Sequence, residues 1–168
     1  MKKYLLPLAV IFFAACNNSE NGTTTNQDSS NTKMNSDSMK GMQTTSAVPE
    51  LPAVPPGAKV VFKNLKNNQS VSSPVKVEMG VEGMRVDTTG PVVGGSGHFH
   101  IFIDVEDSLT SGMMVPKDST HLHYGKGQTS AEVPLTAGKH KLTLQFADGV
   151  HRSYGSKMAT TVMVNVKK

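Results

Sequence analysis

Strict alternation of apolar and polar residues is the feature that most constrains how this chain can fold. Between residues 97 and 105, Phe99, Ile101 and Ile103 alternate with His98 and His100. Side chains of a strand point to opposite faces in turn, so one face is apolar and the other carries two imidazoles about 7 Å apart. This stretch predicts a strand with one core face and one histidine face.

The same alternation recurs along the chain between segments rich in glycine, asparagine and proline. No segment has helical periodicity, and regular turn signals between short strands favour a β-sandwich. This pattern predicts an all-β domain at residues 57–168 with about seven strands. The predicted strands are 59–65, 74–81, 98–105, 121–124, 129–135, 140–146 and 157–166.

The N-terminus has the pattern of an export signal. Lys2 and Lys3 precede an apolar run that is too short to span a bilayer, which predicts a signal peptide over residues 1–15. The residues Phe13-Ala14-Ala15-Cys16 resemble the lipobox of bacterial lipoproteins. This resemblance implies that Cys16 is lipidated, so that the protein is anchored in the cell envelope and faces the periplasm or the cell surface. The alternative is an ordinary signal peptide followed by an incidental cysteine.

Residues 16–56 comprise the lipidated cysteine and a linker rich in Asn, Ser and Thr. So polar a segment predicts a disordered tether, because it buries too little apolar surface to offset the entropy of ordering. Its Met34, Met39 and Met42 are either soft ligands suited to Cu(I) or ordinary linker composition. The net charge is only +4, and part of it leaves with the signal peptide. The composition therefore predicts no nucleic-acid partner.

A second histidine pair, His121 and His123, repeats the spacing of His98 and His100. If the two strands are neighbours, four imidazoles converge on one patch. Imidazole nitrogen is a good ligand for Zn and Cu. The spacing therefore predicts a Cu or Zn site at His98, His100, His121 and His123, although a polar histidine face without metal remains the alternative.

Other residues are weaker candidates for the same site. Asp104 could orient a ligand histidine through a hydrogen bond. His140 shares its strand phase with Leu142, which favours a half-buried histidine bonded to backbone over a ligand. The remaining secondary candidates are His151, Met113 and Met114.

Two resemblances extend this interpretation. The segments 67–75 and 135–144, the latter followed by Asp148, resemble immunoglobulin-like modules of bacterial envelope proteins, which implies an immunoglobulin-like sandwich. The motifs Gly97-His98-Phe99-His100-Ile101-Phe102-Ile103-Asp104, His121-Leu122-His123-Tyr124-Gly125-Lys126-Gly127-Gln128-Thr129, Gly138-Lys139-His140, Asp148 and His151 resemble domain-of-unknown-function family 4399. That resemblance covers roughly residues 60–166. It implies an exported bacterial protein, and the family carries no established activity.

Three functions remain open from the sequence. The first is an envelope lipoprotein whose histidine-rich sandwich binds Cu or Zn. The second is a non-catalytic interaction module that binds an envelope partner and holds no metal. The third is a copper-dependent redox enzyme, since a sandwich with a His-x-His strand superficially resembles copper–zinc superoxide dismutases. The disulfide of those enzymes cannot form with Cys16 as the single cysteine, so the sequence favours a binding module over an enzyme.

Overall fold

The computed structural model describes residues 49–168, and this part of the chain is all-β, as predicted. It contains nine strands and a single turn of 3₁₀ helix at Ser156–Met158. The predicted signal peptide, Cys16, Met34, Met39 and Met42 lie outside the described residues. The strands are β1 (Lys59–Phe62), β2 (Gln69–Val71), β3 (Val75–Glu82), β4 (Arg85–Val86), β5 (Ser96–Ile103), β6 (His121–Tyr124), β7 (Ser130–Val133), β8 (Gly138–Ala147) and β9 (Ala159–Val166).

The strands form two sheets with the connectivity of an immunoglobulin-like sandwich. One sheet has the order β1-β3-β7, and the other has the order β2-β9-β8-β5, with β4 and β6 both paired to β5. The central pairs are antiparallel, whereas β2 runs parallel to β9 and β4 parallel to β5. The orders β1-β3-β7 and β9-β8-β5 correspond to strands A-B-E and G-F-C of immunoglobulin domains. The short strands β2 and β4 lie between the predicted strands, where the sequence predicted none.

The main core lies between the two sheets and is built from the predicted apolar stripes. Val75, Val77 and Met79 of β3 face Phe99 and Ile101 of β5, and all five are buried. Apolar residues of β8 and β9 complete this layer. The alternation read from the sequence is therefore correct for the core faces of these strands.

The opposite face of the larger sheet is also buried, which the alternation did not predict. His98, His100 and Phe102 of β5, and Thr143 and Gln145 of β8, are each at most 2% exposed. The segment between β5 and β6 and the segment after β8 cover this face. The segment between β5 and β6 contributes Leu109 and Val115 to a second, smaller core cluster, which also contains Phe102 and Ala147. The histidines therefore lie in an interior layer.

The side chain of Gln145 joins the covering segments to the larger sheet through hydrogen bonds. Its Oε1 accepts a hydrogen bond from the backbone N–H of Leu109 at 3.1 Å, and its Nε2 donates to the carbonyls of Gly155 and Met158. A buried amide must have such partners, because an unsatisfied one would cost about 1–3 kcal/mol. Gln145 lies on the face of β8 opposite Leu144 and Phe146, and its side chain joins the sheet to the covering segments.

The segment before β1 also contacts the domain. Leu51 and Val54, which the sequence placed in the tether, are partly buried and pack against the main core. Within residues 49–168, no helix has the length and hydrophobicity needed to cross a bilayer.

Gly97 is expected to be essential for the close packing of β5 against β8. A Cβ at this position would overlap the carbonyl oxygen of Ala147 and the ring of Phe146. We expect Gly97→Ala to lower the free energy of unfolding by about 1–3 kcal/mol, the usual cost of overpacking. Urea denaturation measures this change. Gly94→Ala is the matched control, because a Cβ there has open space. Equal stability of the two variants would contradict the packing argument.

Candidate metal centre

The register of β5 against β6 decides which histidines meet. His100 lies opposite His123, and Phe102 lies opposite His121. His98 is two residues before His100 on the same face of β5. His123 is therefore placed beside the β5 histidines, while His121 lies further along, toward the end of β5.

Three of the predicted ligands come together. One ligand nitrogen from each of His98, His100 and His123 lies within 4.8 Å of the others. The Nε2 atoms of His98 and His100 are 3.0 Å apart, and the ring centroids of His98 and His123 are 5.0 Å apart. The first two rings are buried, and His123 is exposed on the outer side of the group.

His151, a secondary candidate from the sequence, is the fourth member of the group. Its Nε2 lies 3.1 Å from the Nε2 of His123, and its ring centroid lies 5.0 Å from that of His98. We call His98, His100, His123 and His151 the histidine cluster. The turn signal Asp148-Gly149 directly after β8 was the available clue, since a strand antiparallel to β5 ends beside His98.

A buried carboxylate holds His151 in place. Asp148 is fully buried, and its Oδ1 accepts hydrogen bonds from the backbone N–H groups of Val150 and Arg152. Its Oδ2 accepts one from Nε of Arg152 at 2.8 Å. The turn closed by these bonds contains His151 at a φ of 71°, which is uncommon for a residue other than glycine. Asp148 therefore makes the hydrogen bonds of a local turn and, in addition, a buried ion pair with Arg152.

Two glycines leave room around the cluster. A Cβ at Gly125 would overlap the ring of His123. The imidazole can occupy its position because residue 125 has no side chain. A Cβ at Gly149 would overlap the carbonyl oxygens of Gly90 and Pro91. The N–H of Gly90 donates to the carbonyl of Gly149 at 2.9 Å, so the loop before β5 packs against the turn that carries His151.

His121 is not part of the cluster, which corrects the expectation that both histidine pairs converge. Its Nδ1 lies 2.8 Å from Oδ1 of Asp118, its Nε2 lies 2.9 Å from Oε1 of Glu106, and its ring packs on Phe102. Burial acts to lower the pKa of His121, but the hydrogen bonds to Glu106 and Asp118 outweigh it and raise the pKa. With both nitrogens engaged by carboxylates, this imidazole has none left for a shared ion.

Asp104 was a candidate to orient a ligand histidine, but its side chain contacts His140, which lies outside the cluster. Asp104 directly follows β5 and has a φ of 59°. Its Oδ2 lies 2.7 Å from Nδ1 of His140, and its Oδ1 accepts a hydrogen bond from the backbone N–H of Lys141. His140 Nε2 lies 3.0 Å from the carbonyl oxygen of Thr136. His140 is thus the half-buried, backbone-bonded histidine that the sequence favoured. Asp104 orients His140 and no member of the cluster.

Three members of the cluster are neutral at neutral pH. Burial, together with the neighbouring histidines, lowers the pKa of His98 to about 4 and that of His100 to about 2. Burial and His151 also lower the pKa of His123. Neutral imidazole is the form that binds metal, so binding does not have to displace protons from these rings.

The two buried rings are incompletely satisfied by the protein. Their Nε2 atoms face each other, and one hydrogen bond can form between them. Within the described part of the chain, Nδ1 of His98 and Nδ1 of His100 have no hydrogen-bond partner. A buried polar atom without a partner costs about 1–3 kcal/mol. The protein thus supplies these two rings with only the one hydrogen bond that joins them.

A cavity of about 400 Å³ adjoins the cluster. Its wall includes three members of the cluster, His100, His123 and His151, together with Met114 and Lys117. His121 lines the same cavity outside the cluster. Met113 and Met114 are about half exposed or more, at 51% and 58%. Of the two methionines that the sequence named as candidates, only Met114 lines the cavity.

The spacing of the ring nitrogens fits a shared transition-metal ion. Ligand nitrogens about 2 Å from one tetrahedral ion lie about 3.3 Å from one another. The two Nε2 pairs, His98 with His100 and His123 with His151, are separated by 3.0 and 3.1 Å. A ligand nitrogen of His123 also lies within 4.8 Å of one from each of His98 and His100.

Fold and cluster together define a β-sandwich domain with four neighbouring histidines, two of them buried, beside a cavity. The family described as a domain of unknown function (DUF4399) matches residues 77–167, more than half of the chain, and the protein belongs to this family. The matched region begins within β3 and includes all six histidines. No curated protein and no solved structure matches the chain.

The metal-free protein is expected to lose stability on mild acidification. The unfolded chain protonates His98 and His100 near pH 6.5, whereas their folded pKa values are about 4 and about 2. Protons therefore favour the unfolded state as the pH falls from 7 to 5. Each histidine contributes a slope of up to about 1.4 kcal/mol per pH unit. Denaturation curves across this range measure the slope.

The control separates these rings from His121. We expect His100→Gln to reduce the slope between pH 6.5 and 5, because one depressed pKa is removed. His121→Gln is expected to leave it unchanged, since a raised folded pKa contributes its full stabilisation already below pH 6.5. An unchanged slope in His100→Gln would contradict the neutral burial of this ring.

Proposed function

We propose that this domain is a metal-binding module that holds one Cu or Zn ion through His98, His100 and His123, with His151 as the fourth ligand. The observation that carries the proposal is the approach of three ligand nitrogens to within 4.8 Å of one another. Three or four imidazoles at this spacing form a recurrent ligand set for these metals.

The electrostatics of the cluster support a ligand role. Three of its members have a lowered pKa and are present as the free base at neutral pH. Four imidazoles packed together would otherwise repel one another as soon as they became charged. An ion that accepts their lone pairs gives the cluster a favourable interaction that the protein alone does not provide.

Exposure of His123 supports an exchangeable site over a permanently closed one. The inner ligands His98 and His100 are buried, while His123 lies at the solvent side beside the cavity. Structural zinc sites are closed by the protein on all sides, whereas open sites leave a position for another ligand. The module is therefore proposed to take up and release its ion.

We also propose that the module is displayed at the cell envelope through lipid on Cys16. The support is the signal-peptide pattern of residues 1–15 and the lipobox-like Phe13-Ala14-Ala15-Cys16. An envelope location would expose the pocket to metal ions outside the cytoplasm.

Metal analysis of purified protein tests the central proposal. We expect one Cu or Zn ion per chain, with thermal unfolding shifted upward, since a ligand at about 100 times its Kd adds about 2.7 kcal/mol. The variant His123→Gln/His151→Gln is expected to lose at least about tenfold in metal affinity. These partly exposed positions are chosen because their replacement should preserve the fold.

His140→Gln is the matched control, because it removes a histidine outside the cluster. It should retain wild-type metal content. Equal metal content in all three proteins would exclude the cluster as the site. Absence of Cu and Zn from the wild-type protein after loading would favour the alternative, an interaction module without metal.

Lipid anchoring is tested by replacing the acceptor thiol. We expect the wild-type protein to incorporate labelled palmitate and to sediment with membranes, and Cys16→Ser to do neither. The physical reason is that the acyl chains provide the anchoring energy, about 0.8 kcal/mol per buried CH₂. Retention of Cys16→Ser in the membrane fraction without label would show that another feature anchors the chain.

A further inference from the structure

Met114 is an exposed apolar residue at the cavity beside the histidine cluster. Its side chain is 58% exposed, yet it lines the same cavity as His100, His123 and His151. A methionine left in solvent loses the burial that usually stabilises it. Thioether sulfur is a soft donor, so a methionine beside the imidazoles of this cavity can serve as a metal ligand.

Backbone hydrogen bonds tie Met114 to the segment that carries His151. Met114 and Arg152 form an antiparallel β-bridge. The N–H of Val115 donates to the carbonyl of His151 at 2.9 Å, and the N–H of Ser153 donates to the carbonyl of Met113 at 2.8 Å. The main chain on both sides of Met114 is thus fixed, while its three rotatable side-chain bonds leave the sulfur free to move.

The wall of the cavity has no negative charge to offer a cation. None of the described residues that line it is Asp or Glu, and Lys117 adds a positive charge. The carboxylates next to this wall already have partners, because Glu106 and Asp118 bind His121 and the buried Asp148 binds Arg152. A divalent ion would therefore keep its full charge of +2 among neutral donors, and the cost of burying charge rises steeply with its size.

Building on the proposed function, we infer that the cargo of this pocket is cuprous copper, and that Met114 supplies a thioether ligand at the pocket mouth. Cu(I) carries a single positive charge, and it binds imidazole and thioether readily. The buried His98 and His100 form the inner part of the site, and Met114 with His123 forms the part that an arriving ion meets first. Zn(II) gains little from the thioether, which is too soft a donor for it.

Anaerobic titration with Cu(I), in competition with a chromogenic Cu(I) chelator, tests the inference. Separate titrations use Zn(II) and Cu(II). We expect the full chain to bind Cu(I) more tightly than Zn(II), and Met114→Leu to weaken Cu(I) binding by about tenfold while leaving the Zn(II) affinity unchanged. X-ray absorption of the Cu(I) protein should show a sulfur ligand that disappears in Met114→Leu.

Met113→Leu is the matched control, since Met113 is similarly exposed but does not line the cavity. It should bind both metals as the wild type does. Equal Cu(I) affinity of Met114→Leu and wild type, or tighter binding of Zn(II) than of Cu(I), would overturn this inference while leaving a metal-binding module intact. Failure of all three ions to bind would overturn the proposed function itself.

Discussion

The hydrogen bonds of one buried carboxylate hold together the part of the molecule on which the site depends. Asp148 closes the turn after β8 and pairs with Arg152 in the interior. Without that turn, His151 would not reach His123, and the loop that packs against Gly149 would lose its support. Breaking such a buried pair typically costs about 3–5 kcal/mol. Loss of this turn would therefore disturb both the histidine cluster and the loop that packs against Gly149.

A second layer above the larger sheet distinguishes this domain from a simple two-sheet sandwich. Gln145 fastens the covering segments, and a small apolar cluster around Phe102 fills the space beneath them. This layer removes His98 and His100 from water, which lowers their pKa values and keeps them neutral. The proposed chemistry follows from this burial, because neutral imidazoles are ready to bind a soft cation.

Much of the fold could be predicted from the sequence, because period-two alternation reports directly which face of a strand packs on a core. Val75, Val77 and Met79 were placed correctly by this rule, as were Phe99 and Ile101. The candidate site could be predicted only in part. Spacing placed His121 and His123 on one face, but it contained no information about register, and register put His121 opposite Phe102.

The sequence by itself determined the all-β class, the core stripes and the pairing of His98 with His100 on one strand face. Tertiary structure alone decided which further histidines join them. His123 meets His100 through strand register, and His151 arrives from a turn 28 residues further along the chain. Such long-range proximity depends on how loops and strands pack, and no local pattern encodes it. The same packing engages His121 with carboxylates instead.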